Sequence, residues 1–243
     1  MKSYEYILFD ADNTLFDFDA AELAAFSALC RECGLPYSEG LYRAYSAIND
    51  SLWKRLEKNE ITADFLKVER FRRLLTENLG YKCENENDRD ALNETAEEYR
   101  DCYMENLSRQ SMLVDGAEEV CRALSSRYKL YIITNGIGRI QRRRFSSSVI
   151  YEYFTDIFIS EEIGAAKPAC EYFDSVISAI GDPDRRKYLV VGDSLTSDCD
   201  GAIYSGIDIC RYNPANKPSD GRILTYNIRR LDELENILDR RIK

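Results

Sequence analysis

Short, continuous apolar runs alternate with helix-length segments through the second half of the chain. The apolar runs have the character of fully buried strands and lie at residues 4–9, 129–135, 155–160, 187–193 and 207–212, with a less regular run at 222–227. The helix-length segments lie at residues 116–128, 169–181 and 196–206. Because parallel strands need crossover connections, usually helical and right-handed, this alternation predicts a mainly parallel sheet covered on both faces.

The first half of the chain has a different pattern. Between residues 17 and 109 the apolar positions follow helical spacing, and strand signals are almost absent. A helical block of this size after the first strand is typical of an inserted domain. The sequence therefore predicts an α/β fold, in which a Rossmann-like parallel sheet core of residues 1–16 and 110–243 carries an inserted all-helical domain at residues 17–109.

Two polar stretches in the helical block have structural interpretations. Asp19 followed by Glu22 resembles a capping box at the start of the first helix, which makes Asp17 and Asp19 linker and cap residues. The stretch at residues 83–90 is predicted to be a loop.

Composition and charge narrow the range of functions. The 243 residues are 44% hydrophobic and 31% charged, which is enough apolar material for a sizeable core. No segment has the apolar length of a membrane span and the N-terminus lacks a signal-peptide pattern, so we expect a cytoplasmic protein with no membrane partner. The net charge of −10 argues against a nucleic-acid partner. We expect a monomer or weak homo-oligomer.

Histidine is absent from the sequence, and cysteine gives little sign of chemistry. The lack of histidine excludes Ser-His-Asp and Cys-His mechanisms and most catalytic zinc sites. The eight cysteines include one CxxC, from Cys30 to Cys33, which lies in a helical segment and has no second pair. Reduced, partly buried thiols are the favoured interpretation. Any catalysis must therefore use carboxylates, lysine or a metal.

Two acids stand where the first apolar run ends. Asp10 and Asp12 are two residues apart, so on an extended segment their carboxylates point to the same side. Adjacent carboxylates repel each other unless a cation lies between them or one is protonated. Mg²⁺ takes oxygen ligands, and Asp193, at another strand end, can supply the next one with Asp198 behind it. The sequence thus predicts a Mg²⁺ site.

Other strand ends supply candidate phosphate ligands. Thr134 ends the second run and is followed by Asn135 and a glycine, so its hydroxyl and the next amides can bind a phosphate oxygen. Lys167 precedes Pro168, which suits the first turn of the following helix. Since ligand sites of open α/β sheets lie outside the carboxyl ends of the strands, these groups are predicted to converge on one phosphate.

Two rival motifs are incomplete, and a basic run has a structural interpretation. A GxGxxG pattern begins at Gly136, but Gln141 takes the place of its last glycine. The stretch from Asp10 resembles a calcium loop, but Leu15 stands where the sharp turn needs glycine. The basic run Arg142–Arg144 is interpreted as a solvated helix face, with a phosphate or partner contact as the minor alternative.

The order of these motifs resembles the haloacid dehalogenase superfamily of phosphatases. DxDxT, a strand-end Thr, Lys-Pro and GDxxxxD follow one another as that superfamily's four motifs do, and the match covers about residues 1–16 and 111–212. The helical block lies where the superfamily inserts its first-type cap. The stretches DADNTLFDFD, ITNGIGRIQ, FISEEIGAAKP and GDSLTSDCDGA look especially like the pyrimidine 5′-nucleotidase branch that acts on nonstandard nucleotides.

The resemblance implies a role for each matched residue. Asp10 would be the nucleophile that forms an aspartyl-phosphate, and Asp12 the general acid and then the base. Mg²⁺ would be held by Asp10, the backbone carbonyl of Asp12 and Asp193, with Asp198 positioning a metal-bound water. Thr134, Asn135 and Lys167 would stabilise the phosphoryl oxygens. Members that cleave carbon–halogen bonds lack the second acid, so Asp12 favours phosphoryl transfer.

The resemblance implies a small phosphorylated metabolite, in particular a nucleoside monophosphate, as the substrate. A sugar-phosphate phosphatase or phosphomutase with the same core is the enzymatic alternative, and a non-catalytic phosphate-binding or interaction protein is the alternative outside enzymes. Aromatic residues of the cap that could stack on a base are Tyr42, Tyr45, Trp53 and Phe65, although aromatics at helical spacing more often pack a core.

Overall fold

The computed structural model describes residues 3–58 and 60–239. The chain forms two compact units, one made of Met1–Asp19 and Ser111–Lys243, the other of Ala20–Gln110. The first unit is an α/β core and the second is helical.

The described part of the core unit contains one parallel sheet. Its strands are β1 (Tyr6–Asp10), β2 (Lys129–Thr134), β3 (Phe154–Ile159), β4 (Tyr188–Gly192), β5 (Asp208–Tyr212) and β6 (Tyr226–Ile228). They lie side by side in the order β3-β2-β1-β4-β5-β6, and every neighbouring pair is parallel. The predicted α/β fold with a parallel sheet is confirmed.

Alternating side chains of the strands pack against helices on both faces of the sheet. The helices of this unit are α5 (Ala117–Ser125), α6 (Gly138–Ser146), α7 (Ser160–Ile163), α8 (Cys170–Ile180), α9 (Asp200–Tyr204) and α10 (Glu233–Asp239). Ile7 and Phe9 of β1 belong to a buried cluster with α5 and α10, whereas Leu8 belongs to one with α8 and α9. Burial on both faces explains why the strands are continuous apolar runs in the sequence.

The described residues of the helical unit form four long helices. The first begins within the core unit, and their bounds are α1 (Phe18–Glu32), α2 (Glu39–Glu57), α3 (Ala63–Asn78) and α4 (Glu86–Ser108). Ser38, Thr62 and the residue before α4 accept a hydrogen bond from the first turn of their helices, so each start is capped by a side chain. No helix in the described residues is long and apolar enough to cross a membrane.

An aromatic cluster lies inside the helical unit. The buried ring of Tyr45 stacks on Phe26 and Phe71, and the guanidinium of Arg70 lies 4.6 Å from the centre of the Tyr103 ring. Tyr45 therefore packs the core of this unit, while Phe65 is exposed.

Three local predictions were wrong. The last strand is Tyr226–Ile228 instead of residues 222–227, because Arg222 turns to form a bidentate ion pair with Asp200. Residues 86–90 of the predicted loop at 83–90 are helical, since the Asn85 side chain caps α4 from Glu86 onward.

The third error concerns the capping box at the start of α1. Glu22 is buried and accepts hydrogen bonds from Tyr42 and Asn49, so it does not reach back to the helix start. The first backbone N–H of the helix, at Phe18, is instead satisfied by the Asn13 side chain, which also donates to Asp19.

Candidate active site

Three predicted site residues follow three neighbouring strands at one edge of the sheet. Asp10 ends β1, Thr134 ends β2, and Asp193 directly follows β4. Because β1 lies between β2 and β4, these residues come together where the order of strands along the chain reverses direction. This position is where parallel α/β sheets place their ligands.

A buried ion cluster occupies this edge. The Lys167 ammonium donates to Asp10 Oδ1 at 2.6 Å, to Asp198 Oδ1 at 2.7 Å and to the Ile133 carbonyl at 3.1 Å. The second oxygen of Asp10 accepts from the Thr14 hydroxyl at 3.1 Å. The structure thus brings the first, third and fourth motifs of the sequence together around one lysine.

The loops that follow β4 hold the acids of the fourth motif. Ser194 donates its backbone N–H to Asp198 Oδ2 at 3.1 Å, and its hydroxyl caps the helical turn Leu195–Cys199 that carries Asp198. Arg211, buried in β5, donates to the Asp193 carbonyl at 3.4 Å and to the Pro218 carbonyl at 2.9 Å. These contacts hold the carboxylate of Asp198 and the backbone of Asp193.

The cluster has the chemistry of a divalent-cation site. Asp10, Asp193 and Asp198 each offer a carboxylate oxygen within 4.8 Å of the others, whereas a single ammonium compensates them. Burial, together with the negative charge of Asp198, raises the pKa of Asp10 well above its usual range and the pKa of Asp193 to about 7. Burial alone would lower the pKa of Lys167, but the Asp10 and Asp198 carboxylates outweigh it and raise that pKa. Three hard oxygen donors with excess negative charge fit Mg²⁺.

Asp12 is not one of the clustered carboxylates, and its side chain contacts helix α6. Its Oδ1 accepts from Arg144 Nη1 at 2.6 Å, and its Oδ2 accepts from Gln141 Nε2 at 2.5 Å. Its side chain is 26% exposed, while that of Arg144 is 1% exposed. The carboxylate of Asp12 is thus not one of the cation-site carboxylates. If Asp12 binds the metal, as predicted, it would do so through its backbone carbonyl.

Thr134 has both of its oxygen lone pairs engaged. Its Oγ1 accepts from the Gly136 backbone N–H at 3.0 Å and from Gln141 Nε2 at 3.1 Å. Its backbone N–H donates to the hydroxyl of the buried Tyr172 at 3.0 Å, which in turn donates to the Phe158 carbonyl at 2.8 Å. With two hydrogen bonds accepted, the hydroxyl proton of Thr134 is directed away from these donors.

The side chain of Asn135 holds the loop that carries the lysine. It donates to the Lys167 carbonyl at 2.8 Å and accepts from the Lys167 backbone N–H at 2.9 Å. This reciprocal pair ties the backbone of Lys167 to the residue that follows β2. Pro168 lies before helix α8 instead of in its first turn, because the helix begins at Cys170.

The interpretation of the basic run as a solvated face is wrong for one of its members. Arg142 and Arg143 are exposed, but Arg144 is buried with its guanidinium 5.1 Å from the centre of the Phe16 ring. Helical spacing carries the missed signal, since Ile140, Gln141 and Arg144 fall on one face of α6. Gln141, which breaks the GxGxxG pattern, lies on this buried face.

This chain is similar in sequence and in structure to known proteins. A model of the haloacid dehalogenase-like hydrolase family matches residues 4–206. The Bacillus subtilis (strain 168) protein YfnB, a HAD-hydrolase by name, is 38% identical over 240 residues, which cover 98% of this chain and 97% of YfnB. A crystal structure of YfnB, described as bound to magnesium, matches with a TM-score of 0.87 at 36% identity and covers 98% of this chain and 100% of that one.

Two further relatives are named as pyrimidine 5′-nucleotidases. PynA of Streptococcus pneumoniae (strain ATCC BAA-255 / R6) is 34% identical over 241 residues, covering 98% of this chain and 97% of PynA. YjjG of Escherichia coli (strain K12) is 29% identical over 236 residues, covering 97% of this chain and 98% of YjjG. These similarities confirm the resemblance drawn from the four motifs. With the family model matching most of its length and two relatives above 30% identity spanning nearly all of it, this chain belongs to the haloacid dehalogenase-like hydrolase family.

Proposed function

We propose that this hydrolase is a Mg²⁺-dependent phosphatase that forms an aspartyl-phosphate on Asp10, with nucleoside monophosphates as substrates. The observation that carries the proposal is the buried cluster of Asp10, Lys167, Asp193 and Asp198 at the carboxyl edge of the sheet, with a separately held carboxylate, Asp12, beside it. A nucleophile, a cation site and a proton carrier are the three parts that such a reaction needs.

The two acids would divide the chemistry between them. A carboxylate oxygen of Asp10 attacks phosphorus, the bond from phosphorus to the ester oxygen breaks, and Asp12 gives that oxygen its proton. A water then attacks the phosphorus of the aspartyl-phosphate and passes a proton to Asp12. The bond between Asp10 and phosphorus breaks, which releases phosphate and restores both acids.

Three residues would stabilise the phosphoryl oxygens. Lys167 lies 2.6 Å from Asp10, so its positive charge is adjacent to the point of attack. The Thr134 hydroxyl has its proton free for a phosphate oxygen, since two donors occupy its lone pairs. Asn135 would contribute its backbone N–H, because its side chain is committed to Lys167.

Asp10, Asp193 and the backbone carbonyl of Asp12 would hold Mg²⁺ directly, with Asp198 behind them. When bound, the ion would neutralise the excess negative charge of the carboxylates and of the substrate phosphate. The description of YfnB as bound to magnesium supports this assignment.

The names of PynA and YjjG support nucleoside monophosphates as the substrate class. We infer that residues 17–109 form a cap domain that selects the substrate, as the family resemblance implies.

A substrate panel with one variant tests the proposal. Nucleoside monophosphates and hexose phosphates are compared with Mg²⁺ and with EDTA, using the wild type, Asp10→Asn, and the surface control Asp64→Asn, whose ion pair with Lys67 is exposed on the aspartate side. We expect hydrolysis of nucleotides that requires Mg²⁺, disappears in Asp10→Asn and persists in the control. Preference for hexose phosphates would overturn the substrate class, and full activity of Asp10→Asn would overturn the covalent mechanism. No hydrolysis of any ester would favour a phosphate-binding protein.

A binding measurement tests the metal site without turnover. Mg²⁺ at about 100 times its dissociation constant should stabilise the folded state by about 2.7 kcal/mol and raise the unfolding temperature. Asp193→Asn should remove most of that shift, since it removes one of the clustered oxygens. An unchanged shift in this variant would refute the proposed ligand set.

A further inference from the structure

Helix α6 presents a buried polar face to the loop after β1. Gln141 is 3% exposed and Arg144 is 1% exposed, although both side chains are strongly polar. The Arg144 guanidinium lies over the rings of Phe16 and Phe18, at 5.1 and 5.7 Å from their centres. Burying an arginine and an amide is costly unless their hydrogen bonds are made, so this face must have a structural or a functional reason.

Hydrogen bonds from this face reach Asp12 and Thr134, two residues of the proposed active site. Arg144 Nη1 donates to Asp12 at 2.6 Å and to Gln141 Oε1 at 3.1 Å, so the guanidinium fixes which end of the amide carries the donor. The amide nitrogen of Gln141 then donates both to Asp12, at 2.5 Å, and to Thr134, at 3.1 Å. Asp12 thus has one donor on each of its oxygens.

The neighbouring backbone leaves room for this amide. A Cβ at Gly136 would lie 2.2 Å from Gln141 Nε2 and 2.7 Å from its Cδ, so a side chain here would displace the Gln141 amide. The glycine after Asn135 is therefore needed for the position of Gln141, in addition to any use of its backbone N–H.

We propose that Gln141 and Arg144 are positioning residues that hold the carboxyl group of Asp12 in register with Thr134, so that Asp12 can protonate the leaving oxygen. The inference rests on the proposed phosphatase function and deepens it. Asp12 is partly exposed, and without these donors its side chain can rotate in solvent. General acid catalysis raises a reaction rate by about 10²- to 10⁴-fold, and a misaligned general acid loses part of that increase.

A pair of substrates with different leaving groups separates positioning from a merely structural role. A nucleoside monophosphate releases a basic alkoxide that needs a proton, whereas p-nitrophenyl phosphate releases a weakly basic phenolate that does not. In Gln141→Leu and Arg144→Met, we expect kcat for the nucleotide to fall by about 100-fold. The rate with p-nitrophenyl phosphate should fall by less than about tenfold, the value of one neutral hydrogen bond to Thr134.

Three further variants complete the test. Arg143→Met, at an exposed position of the same helix, should leave both rates unchanged, and Arg144→Lys should recover part of the nucleotide rate by restoring a cation near Asp12. In an Asp12→Asn background, Gln141→Leu should cost little more than Asp12→Asn alone, because residues that act through one group are not additive.

The outcomes distinguish the two levels of the proposal. Equal losses with both substrates, or full additivity with Asp12→Asn, would overturn the positioning role while leaving the phosphatase function intact. A wild-type protein that hydrolyses neither ester would overturn the proposed function itself. The rate with p-nitrophenyl phosphate also reports whether each variant is folded, so a loss confined to the nucleotide cannot come from unfolding.

Discussion

Replacing Gly192 with alanine tests how tightly the end of β4 packs against Asp198. A Cβ at this position would lie 2.4 Å from both Cγ and Oδ2 of Asp198, where ordinary contacts begin at 3.4 Å. The carboxyl group of Asp198 would therefore have to retreat by about 1 Å from a fully buried position. That movement would strain its 2.7 Å bond from Lys167 and its 3.1 Å bond from the Ser194 backbone.

The cost of Gly192→Ala follows from these contacts. Overpacking a core costs about 1–3 kcal/mol, and weakening a hydrogen bond to a charged group costs about 1.5–3 kcal/mol. We expect the free energy of unfolding, measured with urea in EDTA, to fall by about 2–5 kcal/mol, with weaker Mg²⁺ stabilisation as a second effect.

A second alanine provides the matched control. Gly40 lies in the first turn of α2, and a Cβ there would meet nothing nearer than 3.8 Å. Gly40→Ala should leave stability unchanged or raise it by about 0.5–1 kcal/mol, because alanine favours the helix. If Gly192→Ala were as stable as this control and bound Mg²⁺ normally, the argument that the glycine is needed for the close approach of Asp198 would be refuted.

Two other substitutions test buried polar groups away from the cation site. Burial raises the pKa of Glu22, so the folded state holds this proton more tightly than the unfolded chain, and stability is lost as pH rises from the unfolded pKa through the folded one. Glu22→Gln should therefore be more stable than wild type at pH 7 but not at pH 4. If the variant and the wild type had the same urea midpoint at pH 7 as well as at pH 4, this expectation would be contradicted. Tyr172→Phe should cost about 1–3 kcal/mol, because the Thr134 N–H and the Phe158 carbonyl both lose their partner. An unfolding temperature equal to that of wild type would show that these backbone groups find other partners.

The parallel topology makes part of the candidate site predictable from the sequence. Asp10, Thr134 and Asp193 were each recognisable as residues that end or follow a buried strand, and parallel strands direct such residues to one edge. This rule predicts the edge of the sheet at which these residues lie, but not the side chains with which they form hydrogen bonds. That Lys167 bridges Asp10 and Asp198, and that Asn135 clamps the backbone of Lys167, depends on contacts across more than 30 residues of chain.

The errors have a common physical cause. The basic run predicts a solvated Arg144, and the capping pattern predicts that Glu22 bonds to the start of α1. Both are instead buried, because distant side chains complete their hydrogen bonds. Propensity and periodicity describe a residue's own segment, so they do not reveal a partner on another element. The shifted start of β6 arises in the same way, from the ion pair of Arg222 with Asp200.

The pattern along the chain thus decided the class of fold, the parallel sheet and the strand ends at which acids, a threonine and a lysine would gather. Local spacing is sufficient for this, because the apolar period of a segment determines which of its faces is buried. Only the folded chain decided which partners the two acids of the first motif contact. The carboxylate of Asp10 contacts the buried Lys167 at the candidate cation site, whereas that of Asp12 contacts Gln141 and Arg144 of α6. These two residues lie 129 and 132 positions from Asp12 in the sequence, so only the packing of the sheet brings them to it.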